Sequence, residues 1–213
     1  LQVIHAAPYY TFFTIDVSEA LDYLALTLSP SAAETRLDAI IPANERRGIL
    51  RYHSSGRRIG GITYAPDAIT VARLAAKYWP ALEAMQELSV HLAQAKNGSS
   101  FDLELAIDEH PPDITAFESI TTDEEFAFVA LEIARRRLPI SHIAPNFGVE
   151  KGVDYRGPDG LPGLERRVRT QYRIANEFGL MLDFHSGDDL SSTTRRVIGR
   201  ATAGRCHFKV SPM

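Results

Sequence analysis

Cysteine and lysine are scarce in this chain of 213 residues. Its single cysteine, Cys206, cannot close a disulfide within the chain, which excludes a disulfide-stapled scaffold and predicts a reducing, cytoplasmic compartment. Only Lys77, Lys96, Lys151 and Lys209 stand among 23 basic residues, and the formal net charge is −4. That balance argues against a nucleic-acid binder, which needs a basic surplus. No run approaches the roughly 18 apolar residues of a membrane span, and no signal-peptide pattern opens the chain. Internal repeats and low-complexity tracts are absent as well. What remains, 45 % hydrophobic and 23 % charged residues, suits one soluble domain over residues 1–213. The chain opens on Leu1 and closes on "FKVSPM" without a final helix, so both ends read as truncated.

Strands and helices alternate along much of the sequence. "YYTFFTIDV" (9–17) is rich in aromatic and β-branched residues and predicts a strand, and "VSEALDYLALTL" predicts a helix capped by Ser18. The segment from Ser29 to Pro66 reads as loop with short elements. A long helix is expected over about 68–95, kinked or broken at Pro80 and ended by Asn97-Gly98. "FDLELAID", "PISHIAPNF", "LMLDFHSG" and "RCHFKV" predict further strands. Between them lie two helices, "DEEFAFVALEIARRR", opened by a capping box at Thr121 or Thr122, and "GLERRVRTQYRIANEFG". This alternation implies βα units and a mainly parallel sheet.

The side-chain period of two then separates the strand faces. Leu103, Leu105 and Ile107 oppose Asp102, Glu104 and Asp108. Leu180, Leu182 and Phe184 oppose Met181, Asp183 and His185. Cys206, Phe208 and Val210 oppose Arg205, His207 and Lys209, and Thr14 shares a face with Asp16. An open doubly wound sheet wants two apolar faces. One apolar and one ionisable face fit a (β/α) TIM-type barrel, with helices outside and polar groups converging inside, toward the C-terminal rim. About five strands are visible where closure needs eight, so the barrel is expected to be incomplete in this chain. The same pattern also arises from salt bridges that serve stability alone.

Those residue types suggest chemistry. His185 and His207 suit a divalent metal, with Asp183 supporting His185. Asp108 and Glu109 suit general acid–base work. Lys209 suits a substrate carboxylate, a developing oxyanion or a Schiff base. Other features read as structural. His91 belongs to a helix surface, and His5 and His53 lie in segments of unclear pattern. "SGRRIGG" lacks the spacing of a phosphate loop, "ARRR" ends a helix where cations suit its dipole, and Trp79 reads as core.

"FFTIDV", "KYWPALE", "FDLELAIDEH", "IAPNF…EKGVDY", "DFHSGDD" and "GRCHFKV" together resemble the tagaturonate epimerase family in order and spacing. The resemblance covers nearly the whole chain and is strongest from Phe101 onward. It implies a metal-dependent enzyme that interconverts tagaturonate and fructuronate at C4, with one divalent ion (Zn, Mn, Co, Ni or Fe) and a sugar acid as the small-molecule partner. It assigns Glu104, Asp108 and Glu109 to an acidic strand end and Lys151, Gly152, Asp154 and Tyr155 to a Lys-Gly loop. His185, Ser186, Gly187 and Asp189 fall in a His turn, and His207 with Lys209 in the last strand. Catalysis is thereby expected of Asp108, Glu109 and Lys209, substrate contact of Glu104, Asn146, Lys151, Ser186 and Asp189, and metal ligation of His185 and His207.

This sequence departs from the family at His110 in place of Thr, Asn146 in place of Arg and Leu190 in place of Lys. Ser211-Pro212-Met213 replaces Thr-Ala-Gly. A family Asp-x-Asp-His segment would fall before Leu1, carrying a third ligand with it. Because C4 lies β to the ketone, its hydrogen is not acidic. Retro-aldol cleavage of C3–C4 followed by re-addition is the expected route, with a base on the C4 hydroxyl and a Lewis acid on the enediolate. The altered Arg and Lys positions favour a related barrel aldolase or isomerase on another keto sugar acid as an alternative. A non-catalytic sugar-acid binder is a third.

Overall fold

Five short strands and the turns after them place the ionisable residues, and a computed structural model describes them over residues 7–211. The strands Phe12–Asp16 (β1), Asp102–Ile107 (β4), His142–Pro145 (β5), Met181–Phe184 (β6) and Cys206–Phe208 (β7) form one parallel sheet in the order β1-β4-β5-β6-β7. Leu103, Leu105, Ile143, Leu182 and Phe184 are buried on one face, toward the helices. The helices are Pro30–Ile40 (α1), Ala43–Ser54 (α2), Ala68–Lys96 (α3), Asp123–Arg136 (α4), Gly160–Glu177 (α5) and Ser192–Ala201 (α6). They pack in succession, α1 on α3, α3 on α4, α4 on α5 and α5 on α6.

Local chemistry explains where these helices start and stop. Thr122 and Glu125 close a reciprocal capping box on α4. Asp67 accepts from the Thr70 amide at the start of α3. Asn97, left-handed at φ 47°, ends that helix.

Three expectations change. The helix expected after β1 is instead two 3₁₀ turns, Ser18–Ala20 and Tyr23–Thr27. Asp16 Oδ1 accepts from the Ser18 amide, and extended Leu21 interrupts the path. The segment 29–66 is ordered. Ser29 caps α1 with Pro30 in its first turn, α2 follows, and Arg57–Ile59 (β2) pairs with Ile62–Tyr64 (β3) around Gly60-Gly61, both at positive φ. Helix α3 runs through Pro80 without ending. The lost backbone bond is offset by packing, since Trp79, Ala81 and Leu82 are all buried.

The sheet is strongly curled about its polar face. β1 and β7 occupy its opposite edges, about 19 Å apart were the strands laid flat at their usual spacing. Yet Lys209 Nζ on the β7 side donates to Thr14 Oγ1 of β1 across 3.1 Å. The Phe12 and His207 rings lie 5.3 Å apart between centroids. Curling gathers residues from every strand around one hollow.

Candidate functional site

Glu104 stands at the centre of that hollow, fully buried on β4. Its Oε1 lies 2.5 Å from His185 Nε2, and its Oε2 accepts from Thr14 Oγ1 at 2.5 Å. Burial alone would raise the Glu104 pKa, but the hydrogen bonds from His185 and Thr14 outweigh it and hold the carboxyl below its ordinary range. The other ring nitrogen of His185, Nδ1, lies 2.8 Å from Asp108 Oδ2. Burial works against a charge on His185, but the bonds to Asp108 and Glu104 prevail and push it up to about 9.

Asp108 Oδ2 is occupied by this contact, while Oδ1 is buried with no partner. A buried acceptor left open is the exception in proteins and calls for an explanation. Here Asp108 borders a cavity of about 330 Å³ lined also by Glu109, Lys151, Asp183, His185 and Ser186. Ser186 is left-handed at φ 55°, a strained conformation for a residue with a β-carbon. At Gly187 the turn passes so close to β7 that a β-carbon would come within 2.9 Å of Phe208. The Gly187 amide donates to the Lys209 carbonyl, tying the His turn to the last strand.

A second group lies on the same face. Asp183, buried on β6, approaches His142 Nδ1 with one oxygen at 2.8 Å and His207 Nδ1 with the other at 3.0 Å. The bond to Asp183 raises the His142 pKa, against the effect of burial. These three residues offer ligand atoms within 4.8 Å of one another, and two imidazoles with a carboxylate are a donor set for zinc or a similar divalent ion. Phe12 packs edge-on against His142, its ring 4.9 Å away, and lies against His207 too.

The residues predicted from sequence therefore divide. His207 joins the metal-type group, but His185, expected beside it, is held between Glu104 and Asp108, and Asp183 serves His142 and His207 in its place. Glu104, expected to touch substrate, has both oxygens bonded inside the protein. Asn146 is buried and fully engaged: its Nδ2 donates to the Ala116 carbonyl and Ser119 Oγ, and its Oδ1 accepts from the Gly148 amide. Asp189 accepts from the Gly152 amide and so clamps the Lys-Gly loop to the His turn. Asp154 accepts from the Ser191 amide and Thr194 Oγ1 at the start of α6; those bonds outweigh burial and bring its pKa down to about 2. Glu109, Lys151 and Ser186 line the cavity. Pro212-Met213 and His5 lie outside the described residues.

His142 was missed. The signal was present in "PISHIAPNF", where His142 alternates with Ala144 and Asn146 and so shares their face. His53 proves to be buried, bonded to Tyr64 and Glu132 on the helical side.

A parallel α/β sheet with its polar face curled inward, where acids, imidazoles and a lysine from the other four strands and the turns after them meet the Thr14 hydroxyl of β1, defines this chain as one of the α/β proteins that build a site at strand ends. The tagaturonate epimerase family model matches residues 4–212, and the chain belongs to that family. Crystal structures of the fructuronate-tagaturonate epimerase UxaE from Cohnella laeviribosi are similar to it. A glycerol complex shares 27 % identity at a TM-score of 0.84, covering 99 % of this chain and 41 % of that one. The native form shares 28 % identity at 0.83, covering 98 % and 41 %. The chain thus spans about two fifths of the length of the solved structures it matches. No curated protein matches it. Among the described residues, no helix is long and apolar enough to cross a membrane.

Proposed function

We propose that the protein is a cytoplasmic, metal-dependent epimerase of a ketohexuronate of the tagaturonate/fructuronate type, acting at C4, and that residues 1–213 form part of one (β/α) barrel. The observation that carries the reading is Asp108, held by His185 at the wall of a cavity and with one buried carboxyl oxygen unpaired, in a chain of this family. The barrel reading is supported by layering. Phe12, His142 and His207 come from the first, third and fifth strands of the sheet and meet in one layer, the alternation by which barrel interiors fill.

The chain's own residues divide the work. The Asp108 carboxylate accepts the proton of the C4 hydroxyl. The C4–O electrons form the aldehyde, the C3–C4 bond breaks, and its pair enters the C2–C3 enediolate. Lys209 and Lys151 offer cationic contacts to the enediolate and the substrate carboxylate, and Ser186 offers a hydroxyl at the cavity wall. After the aldehyde turns its other face, the enediolate re-adds and Asp108 returns the proton to the C4 oxygen, so atoms and charge balance. Glu109, at the cavity rim, takes no step that Asp108 does not already supply.

His142, Asp183 and His207 fit a divalent ion by donor type and mutual reach. Such an ion, when bound, would supply Lewis acidity toward the enediolate oxygens. A related keto sugar acid is a second reading, favoured by one observation: where the family carries Arg, the buried Asn146 amide is consumed internally and offers no carboxylate contact.

The test incubates the purified protein with tagaturonate, with and without added Zn, Mn, Co or Ni, and follows carbon NMR. Fructuronate is expected, with about one ion per chain by elemental analysis. The ion should be lost in His142→Ala and kept in His185→Gln. No C4 epimer with any ion overturns the epimerase reading. An ion lost in His185→Gln and kept in His142→Ala overturns the ligand set.

A further inference from the structure

We propose that Glu104 is the shared anchor of the site, a positioning residue that fixes Asp108 through His185 and Lys209 through Thr14. Its kinetic consequence rests on the epimerase reading. The observation is one continuous path across the hollow, hydrogen bonds joined at one end to the His185–Asp108 ion pair. Asp108 Oδ2 lies against His185 Nδ1, His185 Nε2 against Glu104 Oε1, Thr14 Oγ1 donates to Glu104 Oε2, and Lys209 Nζ donates to Thr14 Oγ1. The path joins β1, β4, the turn after β6 and the end of β7, so it links four separate parts of the chain. Glu104 is its only carboxylate bonded through both oxygens, and it is fully buried, so it has no oxygen left to offer a substrate.

The two ends differ in kind from the middle. Asp108 lines the cavity and keeps one buried oxygen unpartnered, and Lys209 ends in an exposed ammonium with donors to spare. A rigid centre with two open ends is what orientation demands. A base and a cation on opposite sides of the hollow must keep a fixed separation if one is to take a proton while the other meets the developing negative charge. Asp108 and Lys209 belong to different strands with no direct contact between them. Glu104 supplies the common reference.

Glu104→Gln decides the matter by two readouts. The first is independent of activity. In the wild type, proton NMR should give two low-field ring N–H signals that vanish in His185→Gln, one for each carboxylate partner. Glu104→Gln should shift or remove one of them and Asp108→Asn the other. The second is kinetic. Glu104→Gln should lower kcat at least tenfold with KM within about twofold, the pattern of a lost transition-state interaction. In an Asp108→Asn background it should add little, since residues acting as a unit are not additive.

Unchanged low-field signals in Glu104→Gln, or fully additive losses with Asp108→Asn, overturn the anchor. Should Glu104→Gln fail to fold, Thr14→Val and Thr14→Ser test the other arm. Val should lower kcat several-fold and Ser restore it, and equal kcat in both overturns the proposal. A wild-type protein without epimerase turnover sinks the epimerase reading, and the NMR signals still decide the anchor.

Discussion

Two buried histidine–carboxylate networks lie on the helical and polar sides of the sheet, and each keeps one unpartnered buried atom, Nη2 of Arg136 in the first and a carboxylate oxygen of Asp108 in the second. On the helical side, His53 Nδ1 meets the Tyr64 hydroxyl at 2.7 Å and Nε2 meets Glu132 Oε1 at 2.9 Å. Glu132 further accepts from Arg135 through both oxygens and from Arg136. His53 stacks on Phe128, their ring centroids 4.4 Å apart. Every oxygen and ring nitrogen of His53 and Glu132 is matched. On the polar side, His185 is held between two carboxylates, and the outer one, Asp108, lines a cavity and has a buried oxygen without a partner. A buried ion pair alone therefore does not mark a site, since the same motif also fastens helices α2 and α4 and the β2–β3 hairpin together. The unpartnered carboxylate oxygen, on a residue that lines a cavity, makes the difference.

That difference can be broken most sharply at Asp108. Asp108→Asn should lower kcat by about 10²–10⁴-fold, the usual weight of a general base, with little change in the denaturant midpoint. Glu132→Ala should do the reverse. Removing one partner of a buried pair costs about 3–5 kcal/mol, read from urea unfolding, with kcat per folded molecule unchanged. Comparable kinetic losses in both variants would erase the distinction.

A smaller effect follows from pH. Burial would raise the Glu132 pKa, but the bonds from His53 and Arg135 prevail and bring it from 4.5 down to about 2. A depressed folded-state pKa means stability that is fully present above 4.5 and lost as pH falls toward 2. Unfolding free energy should decline across that window, and Glu132→Gln should flatten the decline. A slope equal in wild type and variant would remove Glu132 from the account. Smallest of all, His91→Ala, on an exposed helix surface 3.9 Å from Glu87, should change stability by no more than about 0.5 kcal/mol and kcat not at all. A larger loss would place function on a third surface.

Much of the polar face was legible in the sequence because alternation is a local property. Glu104, Asp108, Asp183, His185, His207 and Lys209 all fall where the period of two puts them. Which of them touch is decided by contacts across the sheet, and residues 81 apart, such as Glu104 and His185, carry no local sign of meeting. Hence the pairing of His185 with His207 was expected, while the protein joins His185 to Glu104 and Asp108. His142 carries a weaker signal because its strand is four residues long and ends in Pro145, so the alternation with Ala144 runs for only two positions within it. The helices in 30–54 escaped notice for a related reason. α1 buries only Ala33 and Leu37, and α2 only Ile49 and His53, so each carries a thin apolar stripe on an otherwise polar sequence.

The contact between Thr14 and Lys209 joins residues 195 apart, and this bears on how the site comes into being. Closing so long a loop carries an entropic cost that local contacts do not, and contacts of high sequence separation slow folding. Strand β1 and the acids of β4 precede Lys209 in the chain and leave the ribosome before it. A growing chain that has already folded α1, α2 and α3 would hold Asp108 and Glu104 before His185 and Lys209 reach them. The hollow is thus complete only once β7 docks on β6, and the Thr14–Lys209 contact reports that these five strands have assembled.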